Sequence, residues 1–214
     1  MIVSRKYHLV YICPPKTGSN SLTSVLCESP YEGRSWDQRY AHHNTLWVPE
    51  LAEYFYFISV RNPYERMFSF WKFVLHHAAT KGRQPYGHKS WRRFFPKPVK
   101  HPVSFEQFVL HGPQTRKQWL RQKWNRLLRT VWSCGWHVQQ LQKPIDAVLH
   151  LETLPADIQR IPYLQHVVIP HTNAGPVKQR PWQESYTPEL VQAVQDWWPD
   201  DFEQFGYSRD LPIT

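Results

Sequence analysis

Six consecutive residues, Lys16-Thr17-Gly18-Ser19-Asn20-Ser21, combine one ammonium, one glycine and four small hydrogen-bonding side chains between an apolar run and a helical pattern. That composition suits anion binding. Backbone N–H groups at a helix start lack intrahelical partners and carry the positive end of the helix dipole, so a Gly/Ser-rich strand-to-helix loop can cradle a phosphate. Gly18 lets the backbone approach an anion closely. Ser19, Asn20 and Ser21 are good N-cap types with donors of their own, and Lys16 puts a mobile cation at the mouth. The common nucleotide loop, GxxxxGK[ST], carries its Lys after the second Gly; here Lys16 precedes Gly18, which argues against an ordinary ATP or GTP site. A polar turn that only caps a helix is the plainer alternative.

Forty residues after Ser21 stands a second candidate group, Arg61-Asn62-Pro63-Tyr64-Glu65-Arg66-Met67-Phe68-Ser69. Arg61 offers a planar fork of donors to a phosphate, and Ser69, two helical turns on, can present a hydroxyl to the same group. Arg66 has two readings: it touches substrate, or it pairs with an acid and holds the loop. Between the two groups lie His42 and His43. A neutral imidazole can accept a proton near neutral pH, yet the chain has 12 His, most of which must be ordinary surface or packing residues.

The loop Lys-Thr-Gly-Ser-x-Ser directly after a first buried strand resembles the 5′-phosphosulfate loop of the sulfotransferases that use 3′-phosphoadenosine-5′-phosphosulfate (PAPS). RNPYERMFSFW resembles their 3′-phosphate-binding element, R-[DN]-P-x-x-R-x-x-S-x-[YW]. His43-Asn44-Thr45 is similar to the His-x-Thr that carbohydrate sulfotransferases place between the two, with His42 as a rival. The resemblance implies in-line transfer of a sulfo group from PAPS to an acceptor hydroxyl, on a carbohydrate. In that chemistry Lys16 neutralises charge on the bridging oxygen, and Thr17, Gly18, Ser19, Asn20 and Ser21 hold the 5′-phosphate and sulfo oxygens. Arg61 and Ser69 grip the 3′-phosphate, and His43 takes the acceptor proton. No metal is implied, because a sulfo group carries less charge than a phosphoryl group. The implied fold is an α/β P-loop-type three-layer sandwich with a central parallel sheet. Asn20 departs from the Thr or other small residue of many members, and the chain is shorter than most glycan-modifying enzymes, which leaves the acceptor open.

The elements that must position these residues are legible as patterns. Lys6–Cys13 reads as a strand ended by Pro14-Pro15, Ser19–Cys27 as a helix, Tyr54–Val60 as a buried strand, and Pro63 onward as a helix with proline in its first turn. Ser104–Leu110 and Arg116–Val131 read as helices, Gly135–Gln142 as a short helix or turn, and Ile145–Leu151 as a third strand. Glu152 follows that strand, a position more often structural than catalytic. Pro155–Ile161 reads as a helix and Val167–Ile169 as strand-like. The loop at residues 171–180, with Lys178 and Arg180, resembles the family's nucleotide-closing segment. Thr187-Pro188-Glu189 opens the last helix, and the aromatics of DWWPDDFEQFGYS read as core.

The 214 residues suggest one domain spanning 1–214. Lys plus Arg outnumber Asp plus Glu by 26 to 17, a formal net charge of +9 that favours an acidic partner. Residues 81–130 hold 13 Lys or Arg against one acid, Glu106, with Trp91, Trp119 and Trp124 interleaved. This basic, largely helical insertion is either a solvated face or an acceptor wall on which sugar rings stack. Three cysteines are too few for a disulfide framework and read as reduced thiols. With no signal core and no apolar run of about 18 residues, the chain is expected to be cytoplasmic or otherwise soluble, or the catalytic part of an anchored parent. The partner expected is a glycan or other hydroxyl-bearing, anionic acceptor, with no nucleic acid. A small-molecule kinase with a variant loop and a non-catalytic basic polyanion-binding module are the competing classes. The kinase would need a Mg²⁺-binding Asp at a strand end, and no strand ends in one.

Overall fold

The computed structural model describes residues 1–28, 30–35, 48–79, 104–111, 133–169 and 181–212. Strands β1 (Ile2–Ser4) and β2 (Leu9–Ile12) form an antiparallel hairpin with Ile2 opposite Tyr11 and Ser4 opposite Leu9. The remaining strands are β3 (Arg34–Ser35), β4 (Phe55–Val60) and β5 (Ala147–His150). They join in one sheet of order β3-β1-β2-β4-β5, with β2, β4 and β5 parallel and β1 antiparallel to both of its neighbours. The fold is therefore mixed α/β with a mostly parallel sheet, rather than the wholly parallel one expected. The single strand expected over Lys6–Cys13 is corrected to a hairpin arm. Arg5–His8 turns, with His8 at φ 52°, and Met1–Ser4 supplies the other arm.

Seven helices accompany the sheet among the described residues: α1 (Ser19–Cys27), α2 (Pro63–Ala79), α3 (Phe105–His111), α4 (Cys134–Gln139), α5 (Leu154–Asp157), α6 (Pro188–Trp197) and α7 (Pro199–Phe205). Side chains alternate across a strand, and here each face meets helices. Leu9, Tyr11, Phe57 and Leu149 pack with Leu22 and Leu26 of α1, Leu154 of α5, and Ile158 and Ile161. Val10, Ile12, Tyr56, Ile58 and Val60 pack with Cys134 of α4 and Phe205 of α7. Two covered faces explain why YFYFISV reads as a continuous apolar run rather than an alternation. A third core joins Tyr64, Met67 and Phe70 of α2 to α3, α6 and α7, and takes in Trp197, Trp198 and Phe202, so the aromatic ending is core as expected.

Val167–Ile169 is not a strand. Val167 and Ile169 rest against the core beside α1 and α5 while Val168 is 87% exposed, an in-out alternation in irregular backbone. Of the basic stretch 81–130, the described part is Ser104 and α3, through His111, whose Phe105 and Phe108 are buried; the rest, with its three Trp, lies outside the described residues. All three cysteines are free thiols. Among the described residues no helix is long and apolar enough to cross a membrane. The parallel order brings the segments that follow β2, β4 and β5 to one edge of the sheet, the place where open α/β sheets bind ligands.

Candidate functional site

The segment after β2 is shaped by its backbone. Thr17 Oγ1 donates to the Pro14 carbonyl at 2.8 Å and shares a 2.8 Å hydrogen bond with Ser59 Oγ, which in turn bonds Tyr11 OH at 2.6 Å. This buried hydroxyl chain ties the loop to β2 and β4. Lys16 (φ 68°) and Gly18 (φ 75°) both lie in the left-handed region, one on each side of Thr17. Left-handed residues in such a turn gather successive N–H groups into a concavity that favours anions. Gly18 is also crowded, since a Cβ there would stand 2.6 Å from Leu151 Cδ1.

Gly18 caps α1, and its carbonyl accepts from Ser21 N at 3.1 Å and Leu22 N at 3.4 Å. The expectation that Ser19, Asn20 or Ser21 caps this helix is thus corrected. The left-handed glycine ends the loop early and places all three inside the first turn, Ser19 buried and Asn20 exposed. No side chain caps α1, and its first turn holds no acid. Thr17 is also corrected in part: its side chain is fully buried and engaged, so it can offer an anion only its N–H.

The segment after β4 is shaped by its side chains. Asn62 Oδ1 accepts from Tyr64 N at 3.0 Å and Glu65 N at 3.4 Å, which caps α2 ahead of Pro63 in its first turn. Asn62 N donates to Glu152 Oε1 at 2.6 Å, and Glu152 Oε2 accepts from Tyr207 OH at 3.0 Å. Glu152 is structural, as its position suggested. Arg61 Nη2 pairs with Glu65, while Arg61 Nε is buried with no hydrogen-bond partner. An unmatched buried donor costs about 1–3 kcal/mol, so its presence favours an incoming acceptor. Of the two readings of Arg66, the loop-holding one stands. Arg66 is 1% exposed, its Nη1 donates to Asp201 Oδ2 at 2.8 Å, and its Nε donates to the Pro15 carbonyl at 3.1 Å.

The two segments meet at Lys16. Its Nζ lies 4.7 Å from the centre of the Phe73 ring on α2. Burial above all, then the charges of Arg61 and Lys72, lower its pKa to about 8. Lys16, Arg61 and Lys72 therefore lie within one another's fields, and Arg61 is paired with Glu65. Ser69 is half-buried on α2, three residues before Lys72 and four before Phe73, a spacing that puts them on one helix face. The structure thus brings Lys16, Gly18, Arg61 and Ser69 to neighbouring loops and the adjoining face of α2. Lys72 was missed in the sequence; its only signal is its i+3 spacing from Ser69. His42, His43, Lys178 and Arg180 lie outside the described residues. Among the described residues no group of three or more His, Cys, Asp or Glu could hold a metal ion.

A helix start with no side-chain cap, an unmatched guanidinium nitrogen and a buried lysine repelled by its neighbours all favour an oxyanion ligand. No curated protein and no solved structure shows significant similarity to the chain. A family model described as the sulfotransferase family matches residues 1–208, nearly the whole length, and covers both loops. Motif and match agree: the chain belongs to the sulfotransferase family, whose chemistry is the transfer of a sulfo group to an acceptor.

Proposed function

We propose that the chain is a PAPS-dependent sulfotransferase that modifies a hydroxyl of a carbohydrate acceptor, built as one domain on a P-loop-type fold. The observation that carries this reading is the meeting of Lys16 and Arg61 across two loops, with Arg61 Nε buried and unmatched and α1 without a side-chain cap. The residues present fit a donor bearing two separate phosphate positions. The N–H groups from Thr17 to Ser21 would hold the 5′-phosphate and sulfo oxygens, and Arg61 with Ser69 the 3′-phosphate that distinguishes PAPS from ATP.

In the step itself the acceptor oxygen forms a bond to sulfur as the bond from sulfur to the bridging 5′-phosphate oxygen breaks. Adenosine 3′,5′-bisphosphate leaves, and the acceptor proton passes to His43, with His42 as the rival base. Lys16 meets the negative charge that grows on the bridging oxygen; such charge stabilisation in a preformed site is usually the largest single contribution. Its lowered pKa suits the role, because a cation held among cations gains most when an anion arrives. The assignment of His43 and of a carbohydrate acceptor rests on the likeness of His43-Asn44-Thr45 and on the Trp-bearing basic stretch 81–130.

Thermal unfolding with added nucleotides tests the donor. A ligand that binds only the folded chain raises its melting temperature. Adenosine 3′,5′-bisphosphate should raise it more than ADP or adenosine 5′-phosphosulfate does. Equal or greater stabilisation by ADP would return the kinase to the front, and no shift with any of the three would favour a polyanion-binding module.

A further inference from the structure

The peptide unit that joins Pro15 to Lys16 is held from outside its own loop. Its carbonyl accepts from Arg66 Nε at 3.1 Å, and Arg66 Nη1 donates to Asp201 Oδ2 at 2.8 Å. Asp201 is 1% exposed and fully engaged: Oδ1 accepts from Ser133 Oγ at 2.7 Å and Gly135 N at 2.8 Å, and Oδ2 from Cys134 N at 3.0 Å. Trp198 flanks the guanidinium at 5.0 Å. The guanidinium therefore has little room to turn, with one edge on the carboxylate and Nε on the loop.

The geometry has a consequence at the next residue. The φ of Lys16 is the rotation measured from the Pro15–Lys16 peptide plane, and it stands at 68°. A β-carbon-bearing residue stays left-handed only where its surroundings fix it. Thr17 Oγ1 anchors the Pro14 carbonyl on one side, and Arg66 anchors the Pro15 carbonyl next to it. We propose that Asp201 and Arg66 are positioning residues for Lys16: the carboxylate orients the guanidinium, which pins the Pro15 carbonyl and holds Lys16 in the conformation that lays its ammonium on Phe73. Helix α7, near the end of the matched region, thereby sets the geometry of a loop near its start. The inference rests on the proposed role of Lys16 as the anion-binding cation.

The plainer role for Arg66 and Asp201 is to fasten α2 to α4 and α7, which would leave Lys16 unaffected when the fold survives. Among the described residues the charges that lower the Lys16 pKa are those of Arg61 and Lys72. Arg66→Lys keeps the positive charge at its position, so a change in Lys16 titration in that variant reports position rather than lost charge. Competitive labelling of the ligand-free protein with trace acetic anhydride across neutral to alkaline pH, read by peptide mass spectrometry, gives that titration. Lys143, held by the Ala52 and Tyr54 carbonyls, serves as the internal reference.

Arg66→Lys keeps a charge for Asp201 but loses the Nε contact, and Asp201→Asn keeps acceptor and shape but loses the charge that orients Arg66. In both, Lys16 is expected to titrate above its wild-type value by about half a unit or more as it moves toward solvent. Unchanged Lys16 titration in the folded variants would overturn the proposal, as would an ordinary lysine titration in the wild type. If Arg66→Lys does not fold, Asp201→Asn decides alone. Thermal stabilisation of the wild type by adenosine 3′,5′-bisphosphate is the separate arm: its absence would sink the donor reading and leave the labelling result standing.

Discussion

After β4 each arginine has a carboxylate, Arg61 with Glu65 and Arg66 with Asp201, and a third carboxylate, Glu152, takes the Asn62 N–H. After β2 the arrangement is reversed. Among the described residues no carboxylate is paired with Lys16, whose charged neighbours are Arg61 and Lys72, and the loop is held by hydroxyls, carbonyls and two left-handed residues. The second loop is a frame whose charges are largely balanced before any ligand arrives. The first keeps its charge unbalanced, so a bound anion completes it. That division suits a reaction in which one phosphate is only gripped while charge grows at the other end of the donor.

Three changes would break or sharpen this contrast. The largest effect belongs to Lys16→Met, which keeps the packing on Phe73 and removes the charge. Sulfo transfer should fall by roughly 10²–10³-fold or more. The ligand-free variant should nevertheless be the more stable protein at neutral pH, by on the order of 1 kcal/mol after allowance for partial exposure. The sign follows from the lowered pKa. Between about 8 and the ordinary lysine value of 10.5 the unfolded chain holds a proton that the folded chain has lost. Wild-type stability should therefore rise with pH through that window, and the Met variant, followed by chemical denaturation, should lack the rise. A ligand-free Met variant less stable than wild type would contradict the unbalanced reading of this loop.

Arg61→Met comes next. It removes the unmatched Nε and leaves Glu65 without its cation, so affinity for adenosine 3′,5′-bisphosphate should fall by about 10–10²-fold. Affinity for adenosine 5′-phosphosulfate, which lacks the 3′-phosphate, should change much less. Equal losses for both ligands would remove the distinction between the loops. Thr17→Val has the smallest effect. It breaks the contacts to Pro14 and Ser59 and should cost about 1–2 kcal/mol of stability, with little change in affinity once folded, because the Thr17 hydroxyl is buried and already engaged.

The same contrast marks what the sequence could tell. Side-chain roles were partly legible: Arg61 reads as the end of a strand and Pro63 as the first turn of a helix, though the Asn62 cap went unread, and Ser19–Cys27 is the helix observed as expected. Backbone roles were not. Nothing in the residue types announces a left-handed Lys16, because lysine has no preference for that region, and its conformation is fixed by Thr17 and by Arg66 from a distant helix. The glycine cap was hidden for a related reason, as three good capping residues follow Gly18 and only the tertiary path decides among them. The β1–β2 hairpin escaped because Arg5-Lys6-Tyr7-His8 carries no Gly, Pro or Asn to announce a turn. Val167–Ile169 has strand-like residues, but its alternation serves packing alone. Lys72 was passed over because surface lysines on helices are common, and only the fold shows that it shares a field with Lys16.

The most direct test of the completed-charge account is calorimetric titration of the wild type with adenosine 3′,5′-bisphosphate and with ADP. It would be run near pH 8.5 in two buffers of different ionisation enthalpy. The account predicts selective binding of the 3′,5′-bisphosphate with net proton uptake, because a bound anion raises the Lys16 pKa from about 8 and re-protonates it. ADP bound as tightly, or 3′,5′-bisphosphate bound with no proton uptake, would contradict it.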